Sequence, residues 1–239
     1  LLAPPAAHAE GAKPGATPVD TRVVPSVPAP VPVPDKRRAY VMRLYQDVLG
    51  RAGDPARIDA LVQMLSGGTS RDGVVLSLLA SEEYRAQLVR TLYTRFLHRP
   101  PTTAESQSMV YELGNSGATE EKLTVILASS PEYFHQRAND SLSAFVDQIF
   151  QDLFGGAPDA SARGYFVAQL RAGTPRQAIV QSLLTNDDYA ARVVQADCTK
   201  YLHRPPTSAE LGQGMAYVRG GRSSDVLAMF LGSQEYYDR

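Results

Sequence analysis

Tryptophan is missing from the 239 residues and cysteine occurs once, at position 198. A lone cysteine excludes an intramolecular disulfide, so packing and hydrogen bonds must hold the fold. Charge of either sign is not in excess: 24 lysines and arginines against 25 acidic residues leave a net charge of −1. Such a balance generates no field to gather a phosphate backbone or an anionic membrane, and nucleic acid is not expected as a partner. No apolar run approaches the roughly 18 to 20 residues of a membrane-spanning helix. The G-x-S-x-G elbow, H-E-x-x-H, the Walker loop and G-x-G-x-x-G are also missing, so no enzyme, catalytic residue or cofactor is assigned.

What is present is enough apolar material for a globular core: 44% of the residues are hydrophobic and 8% aromatic. The first residues, "LLAPPAAHAE", place Ala7 and Ala9 in a small-x-small pattern before Glu10, like the tail of a secretory signal. We therefore expect export, to the medium or to a bacterial cell surface. From Pro4 to Pro34 proline, alanine and valine dominate, ending in "VPSVPAPVPVP". Prolines lack an amide donor and restrict φ, so residues 1–34 are expected to be signal remnant and extended polyproline II linker.

After Asp35 the chain repeats. Four units begin near Tyr40, Leu88, Phe145 and Val193 with "YVMRLYQDVLGR", "LVRTLYTRFLHR", "FVDQIFQDLFGG" and "VVQADCTKYLHR". Val41, Leu44, Tyr45, Val48 and Leu49 fall at i, i+3, i+4, i+7 and i+8, one face of an amphipathic helix. Val89 to Leu97 and Val146 to Phe154 repeat that stripe. A second helix, a glycine-bearing turn ("SGGTS", "NSGAT", "RAGTP", "GGRSS") and a third helix follow in each unit. Each unit closes on "SEEY", "SPEY", "NDDY" or "SQEY", where Ser81, Ser130, Asn186 and Ser233 read as N-caps of a fourth helix continuing into the next unit. Helices this short are marginal alone, so they must shelter one another. The fold expected is all-α: a tandem helical array of four units after the proline-rich segment. The units fall into two pairs, 35–140 and 141–239, and their spacing is compatible with two domains or with one continuous core.

"LHRPPTTAE" at 97 to 105 returns as "LHRPPTSAE" at 202 to 210, 105 residues later. It joins the first helix of a unit to the second. His98 and His203 stand where the other units have Gly50 and Gly155, the usual left-handed helix terminator. The prolines stop the helix, and Thr102 with Glu105, like Thr207 with Glu210, has capping-box spacing. Neither histidine has a second histidine or cysteine at ligand spacing, and neither Asp54 nor Asp159 lies in a calcium-loop run, so no metal is assigned. Arg51, Arg99 and Arg204, one residue on, either tie the turn to an acidic neighbour or lie in solvent.

The order "LYQDVLGRAGDPA", a glycine turn and then "LLASEEY" resembles the DUF4214 repeat family, a helical domain of secreted and surface-associated bacterial proteins. The "LHRPPT" units followed by "SPEY" or "SQEY" are also distantly similar to phycobilisome linker domains. The chain departs from the family pattern in lacking tryptophan and in having Arg57 where a glycine is common. The resemblance implies a non-catalytic module of attachment or assembly, whose partner is a protein or a second copy. A carbohydrate- or cell-wall-binding module is the alternative, with polysaccharide contacting Tyr111, Tyr165 and Tyr217. Cys198 occupies a core position. Asp197 stands where other units have Leu44, Leu92 and Ile149, a place where an unpaired buried carboxylate would be costly, so that face should be open or paired. Candidate partner contacts are Tyr236, Tyr237, Asp197, His98 and His203.

Overall fold

A computed structural model describes residues 35–239; the spacer and signal-like segment expected over 1–34 lie outside the described residues. Fourteen helices and no strand occur among the described residues. The first unit contributes α1 (Lys36–Leu49), α2 (Pro55–Ser66) and α3 (Arg71–Leu79), and the second α4 (Glu82–Leu97), α5 (Thr103–Asn115), α6 (Glu120–Ala128) and α7 (Pro131–Ala138). The third has α8 (Leu142–Phe154), α9 (Ala160–Arg171) and α10 (Arg176–Leu184), and the fourth α11 (Asp187–Leu202), α12 (Ser208–Arg219), α13 (Ser223–Leu231) and α14 (Gln234–Tyr237). None of these helices is long and apolar enough to cross a membrane.

The punctuation expected from the sequence sets these boundaries. Ser81, Ser130, Asn186 and Ser233 cap α4, α7, α11 and α14 through their side chains, and Asp54 and Asp159 cap α2 and α9. Gly50 and Gly155 end α1 and α8 with φ of 69° and 73°; His98 and His203 end α4 and α11 in the same left-handed region, at 53° and 55°. Both threonine-glutamate pairs form complete capping boxes, each satisfying two backbone amides left free at a helix start.

The expected continuation of each fourth helix into the next unit holds twice. Helices α4 and α11 run unbroken for 16 residues. Between α7 and α8 the helix is broken instead: Asn139 and Asp140 both take positive φ, 47° and 56°, which asparagine and aspartate tolerate better than most residues. The chain therefore turns where the other two joints go straight.

That turn decides the packing. The buried side chains form two clusters. One joins α1, α2 and α3 to α11, α12, α13 and α14, and so the first unit to the fourth. The other joins α4, α6 and α7 to α8, α9 and α10, the second unit to the third. Residues 35–140 and 141–239 are thus divisions by repeat, while each buried cluster draws on both, within one compact body of the described residues.

The two seams match. Across the α7–α8 turn, Tyr133 is fully buried, meets Phe145 edge-on and donates its hydroxyl to Asp152 Oδ2 at 2.7 Å. At the other seam Tyr236 of α14 is fully buried, meets Tyr40 edge-on and donates to Asp47 Oδ2 at 2.6 Å. Arg43 Nη1 donates to the Tyr236 carbonyl, and the Tyr40 hydroxyl to the Leu231 carbonyl, so α14 and the end of α13 are riveted to α1 from nearly 200 residues away. Burying a ring of this size contributes about 2 to 3 kcal/mol, and its hydroxyl bond adds about 1 kcal/mol.

A fragment of residues 35–140 exposes its half of both clusters. It is expected to lack a cooperative thermal transition as a monomer and to regain one when mixed with 141–239 or when it self-pairs. Circular dichroism melts combined with light scattering check this, and a monomeric fragment that melts cooperatively would contradict it.

Candidate functional site

The twin strings do not converge on a cleft. Each forms its own clamp, built on arginine. Arg99 stacks over the Tyr93 ring at 5.2 Å and forks to two carboxylates: Glu105, at the start of α5, and Glu132, at the start of α7, at 2.6 to 2.9 Å. Arg204 repeats this with Glu210 and Glu235 at 2.7 to 3.1 Å, its Nη1 lying 3.7 Å from Cys198 Sγ where the ring of Tyr93 would be. Arg51 makes the one-carboxylate version with Glu83. Planar guanidinium can hold two carboxylates bidentately, which is why arginine recurs there. Its bonds hold the carboxyls of Glu105 and Glu210 down to about 2. His98 and His203 have exposed side chains with no bond to a helix-end carbonyl; their backbone, not the imidazole, does the work.

Of the other predicted contacts, Tyr236 is buried in its seam, and Tyr237 lies 5.2 Å from the Tyr40 ring, with Lys36 and Arg71 over its own face. These two candidate partner contacts are therefore engaged within the fold, against α1 and Arg71. Tyr111 and Tyr165 are 63% and 59% exposed, on α5 and α9, while Tyr217 on α12 is half-buried under Arg222. Cys198 is fully buried, and burial pushes its thiol up, which makes it a core residue and a poor nucleophile. No group of three or more metal-ligating side chains occurs among the described residues.

Asp197 leads elsewhere. The long helices α4 and α11 line a solvent-open cavity of about 870 Å³, bordered also by Val48 of α1, Leu153 of α8 and residues of α6 and α13. Its walls pair residues at equivalent places in the repeat: Tyr84 with Tyr189, Leu88 with Val193, Arg95 with Lys200. Tyr84 and Tyr189 come from the same closing motif as Tyr133 and Tyr236. In an unbroken helix the motif tyrosine cannot fold back on the next first helix, and where α1 and α8 carry Asp47 and Asp152, α4 and α11 carry Arg95 and Lys200. Two of the four tyrosines therefore rivet seams, and two face the cavity.

Equivalence is lost at several lining positions, such as Gln87 with Arg192 and Thr91 with Ala196, and at two of them an acid stands on one side only. Asp197 stands opposite the buried Leu92, and Glu120, first residue of α6, stands opposite Ser223, first residue of α13. Neither carboxyl has a hydrogen bond or ion pair with a described residue. Burial pushes Glu120 up to about 7, helped by the charges of Glu121 and Asp197 and opposed by Arg95. Burial likewise lifts Asp197 to about 7 against the pull of Lys200. Next to them Glu121 accepts from the backbone and hydroxyl of Ser223, linking α6 to α13, while its other oxygen is buried without a partner. The sequence marks Asp197 as misplaced in a stripe; nothing in it marks Glu120, which reads as an ordinary acidic first-turn residue.

The protein is thus an all-α module whose four units close on one another around a polar cavity. Residues 35–88, α1 to the first part of α4, match the family model described as Domain of unknown function (DUF4214). No curated protein and no solved structure matches the chain.

Removing a clamp tests its weight. Arg99→Ala is expected to cost about 1 kcal/mol at pH 7, the range for partly exposed ion pairs, without rescue by Arg99→Lys. Because Glu105 is depressed, that contribution is present above about pH 4.5 and disappears as pH falls to about 2; urea titrations at both ends measure it.

The cavity carboxyls act with opposite sign. Their folded pKa values exceed the ordinary 4.5 and 3.8, so stability is greatest below those values and declines as pH rises to about 7. Asp197→Leu is expected to raise the melting temperature at pH 7.5, with the gain shrinking towards pH 4. A gain independent of pH would show that the carboxylate is not the cause.

Proposed function

We propose that the chain is a non-catalytic interaction and scaffolding module, exported and working in a cell-surface or extracellular assembly. The observation that carries this is the division of labour between inside and outside. Arginine forks, seam tyrosines and caps are bonded internally, whereas Met42, Tyr111, Ile126 and Tyr165 stand half or more exposed on four different helices of a braced body. Large apolar side chains presented from rigid helices are suited to packing against another protein surface. Cys198 is buried, His98 and His203 have no bonded carboxylate among the described residues, and His135 bonds only Asp140, at 2.7 Å, which supports a role without catalysis.

Light scattering across a concentration series tests the self-association form of this reading. Concentration-dependent oligomers are expected, weakened by Ile126→Ser or Tyr111→Ser with the melting temperature preserved. A strict monomer that gives no crosslinked partner in its native cell would overturn the assembly role.

A further inference from the structure

The halves 35–140 and 141–239 meet twice, and the two meetings are copies of one another. Tyr133 with Asp152 and Phe145 repeats as Tyr236 with Asp47 and Tyr40. Arg176 Nε donates to the Ser129 carbonyl at 3.3 Å, and its guanidinium lies 4.2 Å from the centre of the Phe134 ring. Arg71 does the same to the Gly232 carbonyl at 2.8 Å and lies 5.0 Å from the centre of the Tyr237 ring. Each contact takes one partner from either half. The difference between the meetings is covalent. Beside the first, the chain passes from one half to the other through Asn139 and Asp140; the second is made between residues 161 or 189 positions apart, with no joint beside it. The interface between halves therefore forms without a covalent turn next to it.

The bent joint is held by little. Asn139 and Asp140 are exposed and both left-handed, a conformation that alanine and most other residues adopt poorly. Among the described residues their bonds run back to α7: both amides to the Phe134 carbonyl, and the Asp140 carboxylate to His135 Nδ1 at 2.7 Å, between two exposed side chains. No proline or glycine occurs from Glu132 to Phe154. Residues 131–154 can therefore run on as one helix about 36 Å long, as the equivalent joint does in α4 and α11. Straightened, the joint carries the second half away from the first and uncovers the faces that now bury both clusters. The surface that fits those faces is the opposite half of another copy.

We propose that the chain pairs with a second copy of itself by exchanging halves, with Asn139 and Asp140 as the hinge. Residues 35–140 of each copy close on residues 141–239 of the other, and α7 with α8 forms the helix that links the two bodies. The tyrosine and arginine contacts above are all remade between copies, and the left-handed pair is relieved. What is lost is the proximity that lets one chain close on itself, so the monomer prevails in dilute solution and the exchanged pair at high concentration. This goes beyond assembly through exposed side chains, because it uses the buried faces and neither Ile126 nor Tyr111.

The test uses the whole chain, refolded from denaturant over a range of concentrations and separated by size-exclusion chromatography with light scattering. Lys36→Cys/Asp238→Cys places two thiols where exposed side chains pair across the halves, and a short bismaleimide joins them, Cys198 being buried. In an exchanged dimer that link ties two chains together and denaturing gels show a doubled mass. In a dimer of closed monomers it stays within one chain. Asn139→Ala/Asp140→Ala favours the straight helix and Asn139→Gly/Asp140→Gly the turn. The dimer-to-monomer ratio is expected to be at least about tenfold higher for the alanine pair, with circular dichroism melts verifying that both fold. Doubled mass in the dimer fraction, in that order of hinge variants and unaffected by Ile126→Ser, supports exchange and overturns the surface route to self-association. A dimer linked only within chains, and dissolved by Ile126→Ser, overturns exchange and supports the surface route. A chain that stays monomeric through refolding, the alanine hinge included, overturns exchange and leaves assembly to rest on a different protein crosslinked in the native cell.

Discussion

The closure of α14 onto α1 is the contact on which the architecture depends. Each unit's first helix carries an apolar stripe too wide to be covered by its own second and third helices, and a linear stack would leave the stripe of the first unit in water. The chain solves this by returning. Tyr236 enters the first unit's core, its hydroxyl satisfied by Asp47, and the fourth unit becomes the neighbour that the first lacked. The α7–α8 turn does the same covalently, with Tyr133 and Asp152. The result is a closed set of four units in which neither sequence half has a core of its own.

The cavity is a geometric consequence of that closure. One joint bends and two run straight, and the straight helices α4 and α11 pass between the cores. Tyr189 packs against both clusters, so the space is bounded by each of them. Residues on these two helices that would have been riveting tyrosines and their aspartates become cavity walls, with a basic residue replacing each aspartate. The same four-residue motif thus acquires two roles from the one difference between a turn and a continuous helix.

The near-identical "LHRPPT" strings owe their resemblance to mechanics. A left-handed helix end, a proline stop, a capping box and an arginine that reaches both the capping glutamate and the next closing motif all have to sit in fixed register. The third unit, with Gly156 where the others have the arginine, lacks the clamp and leaves Asp188 without its counterpart among the described residues. Repetition here reflects a joint used again, with His98 and His203 chosen for their backbone conformation.

Caps, stops and the faces of individual helices were legible in the residues because they are local: Ser130, Pro131, Thr102 with Glu105, and the Val41-to-Leu49 stripe act over four to eight positions. Cys198 as a core thiol was legible for the same reason, and Asp197 stood out as a break in a periodic stripe. By itself, then, the sequence determined the all-α class and where most helices start and stop. Which units share a core, that the last tyrosine pair is covered, and that Asp197 and Glu120 face one cavity were decided only in three dimensions. The reason is that these depend on contacts between residues up to about 200 positions apart, whose partners are selected by how two helices run straight and one turns, and that information lies in the shape of the assembled body.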